Sequence, residues 1–333
     1  MTLAAAPRIS VLVPARNEAT ALGPLLDALL RQDYPPDQFE VIVVDDRSTD
    51  GTGRVAAEGG EDLVHFRLLR IEALQHGLEG KQNALEAGIR AARGRIIVQT
   101  DADCLPPPHF LSTYAAAFEA NPGLAFAFGR TGMTPARGLL PSVQSADLLF
   151  LFFMAVLAEK AGHPLTCMGN NIAYLRERYL ALGGYPALGP SRIEDYQLLT
   201  AFRGKGWEIR FIKTRGPLNL SHPVGSGAGF FYQRLRWARG VLVFNPLMNA
   251  LAVLWLLMDL AALTSLAALL LTPSTVWALL LGTKLFLDGL LFTLACVYFR
   301  EPRIWPGFFV WEPYALVSPV AYAIMMGRAP RWR

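Results

Sequence analysis

From residue 8 to about residue 100, short apolar runs alternate with stretches of helical period. Residues 9–13 (Ile-Ser-Val-Leu-Val) read as a buried parallel strand. The strand breaks at Pro14, and Leu22, Leu25, Leu26, Leu29 and Leu30 then follow at the spacing of one helix face. A second such unit has a strand at 39–44, a polar exit Asp45-Asp46-Arg-Ser-Thr-Asp-Gly and a helix over 51–58. A short strand at 66–70 comes next. A helix over 81–93 packs through Ala84, Leu85, Ala87, Gly88 and Ile89, and a strand at 96–98 closes the series. The alternation predicts an α/β fold, a mostly parallel, Rossmann-like sheet with helices on both faces and right-handed crossovers. Beyond it the pattern gives a helix at 110–120, a strand at 124–128, a Gly-led turn into a strand at 168–174 and a helix opening at 193. The run 148–157 is intensely apolar but only about ten residues long, where a span needs ~20. It reads as a buried or interfacial helix.

After about residue 240 the pattern changes. Residues 247–271 and 276–299 are almost wholly apolar and long enough to span a bilayer, joined by an uncharged Thr-Pro-Ser-Thr link. Arg234, Arg236 and Arg239 precede the pair, and Arg300 and Arg303 follow it, so both flanks are expected on the cytoplasmic side. A third apolar stretch, 304–326, carries Glu312, Pro313 and Pro319 and ends in a basic tail. A full third span would put that tail outside, so a re-entrant or interfacial hairpin is favoured. Asp259, Lys284 and Asp288 lie within the first two spans. If the hairpin turns at Pro273–Ser274, the two acids share a depth and Lys284 lies one turn, about 6 Å, away. Unpaired charge is costly there, so a Lys284 bridge to one or both acids is expected.

Composition sharpens this picture. The hydrophobic fraction is 53%, only 17% of residues are charged, and the net charge is +4. No Lys/Arg run of nucleic-acid type accompanies that charge, so it is read as serving phosphates and a membrane surface. Three scattered cysteines give neither a disulfide framework nor a zinc site. The first seven residues are too short and uncharged to read as a signal peptide.

The chemistry gathers at strand exits, where open α/β sheets bind ligands. Asn17 and Glu18 follow the first strand, Asp45 and Asp46 the second, Asp101 and Asp103 the fourth. In Gly94-Arg-Ile-Ile-Val-Gln-Thr-Asp-Ala-Asp-Cys104 the two acids of the Asp-x-Asp end the strand, and prolines 106–108 forbid its continuation. Oxygens from one tight turn suit a hard divalent cation that also touches a diphosphate. Lys81 stands just before a helix, where an ammonium and backbone N–H groups jointly suit phosphate. Ser48 or Asp50 as plain helix caps explains the second exit equally well when it is taken alone. The dinucleotide and P-loop glycine patterns are missing.

The strings Val-Pro-Ala-Arg-Asn-Glu, Val-Val-Asp-Asp-Arg-Ser-Thr-Asp-Gly-Thr, Gly-Lys-Gln-Asn-Ala-Leu-Glu-Ala-Gly and Thr-Asp-Ala-Asp resemble, in order and spacing, the family 2 inverting glycosyltransferases with a GT-A fold. Ile193-Glu-Asp and Gln233-x-x-Arg236-Trp237 extend the resemblance over nearly the whole chain. It implies that Asp46 (or Asp45) holds the base or ribose of a nucleotide sugar and that Glu18 and Lys81 contact the nucleotide. Asp101 and Asp103 would bind Mg2+ or Mn2+ and the donor. Asn170 and Asn171 would lie beside the sugar, and Asp195 would be the catalytic base with Glu194 as its neighbour. Gln233, Arg236 and Trp237 would hold diphosphate and acceptor, with Arg236 as a catalytic residue. Arg47, where that family often has Gly, and Gln82 after the lysine are departures that touch specificity rather than reaction.

The expected organisation is a cytoplasmic glycosyltransferase domain over 1–240, divided into a nucleotide half (1–103) and an acceptor half (104–240). A membrane domain over 241–333 completes a multi-pass protein of the cell membrane. The expected reaction is metal-dependent inverting transfer from a nucleoside-diphosphate sugar to a lipid-linked or membrane-embedded acceptor, with no nucleic acid involved. A processive polysaccharide synthase of the same family is the alternative. From another class, a catalytically idle membrane module that binds nucleotide sugars also fits.

Overall fold

The computed structural model describes residues 8–78, 80–244 and 246–325, with side chains left aside at 240–249, 251 and 252. The first seven residues and the basic tail 327–333, on which two of the expectations fall, lie outside the described residues.

Strands and helices alternate as β1 (Ile9–Ala15), α1 (Leu22–Leu30), β2 (Phe39–Asp46), α2 (Thr52–Gly60), β3 (Phe66–Ile71), α3 (Lys81–Ala91), β4 (Ile96–Gln99), α4 (Phe110–Ala120) and β5 (Leu124–Gly129). There follow β6 (Thr131–Met133), α5 (Leu139–Lys160), β7 (Ile172–Leu175), α6 (Arg176–Ala181), α7 (Gly184–Leu188), α8 (Glu194–Gly204), β8 (Glu208–Ile212) and β9 (Asn219–Ser221). The chain ends in α9 (Gly227–Phe244), α10 (Pro246–Leu271), α11 (Thr275–Phe299), a 3-10 turn (Pro302–Gly307) and α12 (Phe308–Met325). Two compact units result, Met1–Gly132 with Ala155–His222, and Met133–Met154 with Pro223–Arg333.

In the first unit seven strands pair in the order β3-β2-β1-β4-β7-β5-β8. All neighbours run parallel except β7, which is antiparallel to both β4 and β5. The sheet is therefore mostly parallel, as the alternation predicts. Period-2 alternation divides β1 between two cores. Ile9, Val11 and Val13 pack with Leu25 and Leu29, while Leu12 packs with Leu85 and Ile89 on the other face. The register sets the site. β1 pairs with β2 as far as Ala15↔Asp45, but with β4 only as far as Leu12↔Gln99. The chain thus leaves the sheet early at Thr100, and the Asp-x-Asp turn forms beside the still-paired ends of β1 and β2.

Among the described residues, four helices are long and apolar enough to cross a membrane: Leu139–Lys160, Val253–Leu271, Thr275–Phe299 and Pro302–Met325. Two expectations are corrected here. The run 148–157 is part of a 22-residue helix, α5, rather than a helix of about ten residues. The helix runs back through Asp147, whose carboxylate Arg234 and Trp311 satisfy, to Leu139. Pro141 sits in the first turn, where its missing N–H costs nothing. The stretch after 304 is not a hairpin. A 3-10 turn leads into one continuous helix, α12, with Pro313 and Pro319 inside it. No glycine between 308 and 325 offers a turn, and each proline removes only one hydrogen bond of the ladder.

The expected bridge between the two long apolar helices is present. Lys284 lies 3.0 Å from Asp259 and also pairs with Asp288, and the Trp255 ring covers its ammonium at 4.8 Å. Ser274 begins α11 as an N-cap, its hydroxyl accepting from Val276 N–H at 3.3 Å. Glu312 of α12 is a further buried acid, with Asp288, Lys284 and Asp259 as its charged neighbours.

Candidate active site

The exits of β1 and β2 are laced together by side chains. Asn17 N–H donates to Ser48 Oγ, Thr49 N–H to Asn17 Oδ1, Glu18 N–H to Thr52 Oγ1 and Ala19 N–H to Asp50. Asn17 takes φ +57°, a left-handed conformation that asparagine tolerates better than most residues. Asp45 turns inward, accepting from Ser48 N–H at 3.1 Å and facing Arg70 at 3.5 Å. Asp46 instead lines a cavity of about 270 Å³ with Arg16, Glu18, Lys81, Asp101 and Asp103. Of the two candidates in the second exit, Asp46 is thus the one that reaches the cavity. Both of its oxygens hold the Arg47 guanidinium, at 2.8 and 3.1 Å.

Lys81 opens α3 behind Gly80, whose φ of +54° suits a residue without Cβ. Its ammonium sits 2.5 Å from Asp101 and 3.3 Å from Glu194 at the start of α8. Burial works against that charge, but Asp101 and then Glu194 outweigh it, so Lys81 is held protonated more firmly than a free lysine. Two acids around it remain under-compensated. Asp103 is pushed up from the usual carboxylate range by burial and then by Asp101. Glu18 is pushed up by burial, then by Asp103 and Asp101. Asp101 Oδ1 is buried against the Lys81 ammonium. An oxygen-only set with surplus negative charge fits a hard divalent cation. No group of three or more His, Cys, Asp or Glu among the described residues closes a metal site.

Asp195 adjoins this cluster in the first turn of α8. Its Oδ2 accepts from Gly169 N–H at 2.7 Å and its Oδ1 from its neighbour Tyr196 N–H at 2.8 Å. Gln99 Nε2 donates to Gly169 O at 2.7 Å, tying the end of β4 to the same turn. Position 169 has little room for a side chain, since a Cβ there would lie 3.1 Å from Asp195 Cβ and 3.2 Å from its Oδ2. Burial and then Glu194 push the Asp195 carboxyl up to about 6, against the opposing pull of Lys81.

The remaining expected residues are placed as follows. Asn171 is fully buried, accepting from Tyr114 OH at 2.8 Å and donating to Thr131 Oγ1 at 3.3 Å. Asn170 is also buried, its Oδ1 accepting from Thr131 Oγ1 at 3.0 Å and its carbonyl from Asn219. Gln233, Arg236 and Trp237 are on α9, in the second unit, with Arg236 exposed and Trp237 half-buried. Sequence reasoning missed Arg16 as a lining residue, although it sits in the quoted Val-Pro-Ala-Arg-Asn-Glu string. It also missed Gly169 as the donor to Asp195, for which the Met-Gly-Asn-Asn turn was the available signal.

Fold and site define an α/β protein whose ligand cleft, lined by acids and one lysine, lies at the carboxyl ends of parallel strands. The chain belongs to glycosyl transferase family 2: the model of that name matches residues 10–180, and the related glycosyl transferase family group 2 matches 96–323. It is similar to the probable glycosyltransferase YdaM of Bacillus subtilis, with 27% identity over 70% of this chain and 55% of that protein. It is also similar to the beta-monoglucosyldiacylglycerol synthase of Nostoc sp., with 25% identity over 70% of this chain and 49% of that protein. The chain spans about half the length of these curated relatives. Among solved structures it resembles the mannosyltransferase PcManGT from Pyrobaculum calidifontis in complex with GDP-Man and Mn2+. There the TM-score is 0.64 and the identity 26%, over 96% of this chain and 87% of that one. The fold is of GT-A type.

Proposed function

We propose that the chain is a membrane-anchored, inverting glycosyltransferase that moves a sugar from a nucleoside-diphosphate donor to a lipid-linked or membrane-embedded acceptor. Its main support is the position of Lys81 between Asp101 and Glu194, which joins the strand-end acids to the helix carrying Asp195 in one cluster. Asp46, Glu18 and Lys81 bind the nucleotide, and Asn170, Asn171, Gln233 and Trp237 shape the sugar and acceptor sides. Asp101 and Asp103 would hold Mg2+ or Mn2+, which when bound neutralises the leaving diphosphate. Arg236, a permanent cation with a bidentate fork, is suited to the same diphosphate. Asp195 takes the proton of the acceptor hydroxyl as that oxygen attacks the anomeric carbon from the face opposite the nucleotide. A carboxyl raised to about 6 is ionised at neutral pH and more basic than an ordinary aspartate.

The lipid acceptor is favoured by the four span-length helices, and by the name of the similar diacylglycerol-modifying synthase. The proposed organisation keeps a catalytic domain over 1–240 in the cytoplasm and a multi-pass membrane domain over 241–333. The test is Asp195→Asn in membranes given a panel of nucleotide sugars with Mn2+. Turnover should fall by about 10²–10⁴-fold while nucleotide binding persists. Normal turnover, or loss of nucleotide binding itself, would remove Asp195 from the role of base.

A further inference from the structure

Helix α5 carries a carboxylate, Asp147, immediately before its most apolar run. Its Oδ2 accepts from Arg234 Nε at 2.6 Å and its Oδ1 from Trp311 Nε1 at 3.2 Å. Arg234 is buried, and its guanidinium lies over two rings, Trp237 at 4.1 Å and Phe230 at 4.7 Å. One amino group makes a long bond of 3.3 Å to Gln233 Oε1. The other, Nη2, is buried with no hydrogen-bond partner among the described residues. Asp147 is thus the charged anchor of a guanidinium otherwise held by ring faces.

Arg234 is the first variable residue of the Gln233-x-x-Arg236-Trp237 run. Residues three apart share a helix face, which puts Arg234 against Trp237 and leaves Arg236 exposed. A planar guanidinium stacks on an indole where an ammonium cannot do so equally well. We propose that Asp147 is a positioning residue for this run: acting through Arg234, it fixes the plane of the Trp237 ring and covers one of its faces, leaving the other for a ligand. The two arginines then divide the work, Arg234 building the platform and Arg236 staying free for phosphate. This rests on the reading above, in which Trp237 meets sugar or acceptor. Without Asp147 the buried guanidinium loses its counter-ion and must move, and the indole loses a wall.

The experiment uses the full chain in detergent micelles, labelled with 5-fluorotryptophan and observed by 19F NMR. Trp237→Phe assigns the resonance. Asp147→Asn and Arg234→Lys should each shift the Trp237 signal, and Asp147→Glu should return it close to the wild-type position. A Trp237 signal unmoved in Arg234→Lys, or unmoved in a folded Asp147→Asn, overturns the proposal. If Asp147→Asn does not fold, the Arg234→Lys and Asp147→Glu spectra decide the matter. Nucleotide release from GDP-mannose or UDP-glucose with Mn2+ gives a second readout. Asp147→Asn should lose up to about 10²-fold, as a slightly misplaced substrate platform does, with rescue by Asp147→Glu. Trp237→Ala with undiminished turnover would sink the functional reading of the run and leave the NMR result standing, so the two failures are separable.

Discussion

Lys81 and Lys284 are each gripped by two carboxylates, in settings that differ in every other respect. Lys81 stands at strand ends beside a cavity, its side chain 28% exposed, with Asp101 and Glu194 as partners and Asp103 and Glu18 close by. Lys284 is 4% exposed among helices, with Asp259 and Asp288 as partners. The open cluster carries more negative charge than its lysine neutralises and faces a space where a cation or a phosphate can enter. The buried cluster is enclosed by helices, and its worth is structural: it ties α10 to α11 at a fixed register. Local geometry alone does not separate a reactive constellation from a structural one. Access and surplus charge do.

The largest effect should come from the open cluster. Asp103→Ala removes an oxygen from the proposed metal position, so several kcal/mol of transition-state stabilisation, about 10³-fold in turnover, should go with it. Excess chelator should do the same to the wild type. Full turnover in either case, measured as nucleotide released from a sugar-nucleotide panel, would sink the metal assignment.

Stability should report the opposite contrast. Lys284→Leu leaves buried carboxylates unpaired and should cost about 3–5 kcal/mol, while neutralising Asp259 and Asp288 as well should recover part of it. Lys81→Leu breaks pairs that solvent partly screens, so it should cost less stability than Lys284→Leu while weakening nucleotide binding. Thermal unfolding in detergent, with a nucleotide titration alongside, compares the two. Equal losses of stability would erase the distinction between them.

The open cluster was also the more legible in sequence. The β-branched runs at 9–13, 39–44 and 96–98 gave their strands away, and each ends in the acids that line the cavity. The Lys284 bridge was legible too, because long apolar runs leave a charge within them few other partners. What escaped depends on distant partners. The insertion of β7 between β4 and β5, antiparallel to both, is set by pairing across the chain rather than by local pattern. The run 148–157 was read as about ten residues because the pairing that carries the helix back through Asp147, with Arg234 87 residues away, has no local pattern. The bonds that hold the buried amides of Asn170 and Asn171 run to Thr131, Tyr114 and Asn219, partners too distant in the chain for the Gly-Asn-Asn turn to reveal.

The smallest expected effect is also the most specific to the open cluster. Asp195 serves as a base only when ionised, so with its carboxyl near 6 the turnover should rise about tenfold between pH 5 and pH 7. Two neighbours set that position in opposite senses: Glu194 raises it by like charge, and Lys81 lowers it. Glu194→Gln removes the raising charge and also releases Lys81 from one of its two carboxylates, leaving more of its field for Asp195. Both changes favour the ionised form, so the acidic limb of the pH–rate profile should move to lower pH, with the plateau reduced only modestly. Burial, the larger cause, is untouched, so the limb should stay above the range of an exposed aspartate. A limb unmoved in Glu194→Gln but abolished in Asp195→Asn would keep Asp195 as the titrating group while removing Glu194 from its tuning. A limb that persists unchanged in Asp195→Asn would assign the titration to another residue, with Asp103 and Glu18 the next raised carboxyls in the cavity.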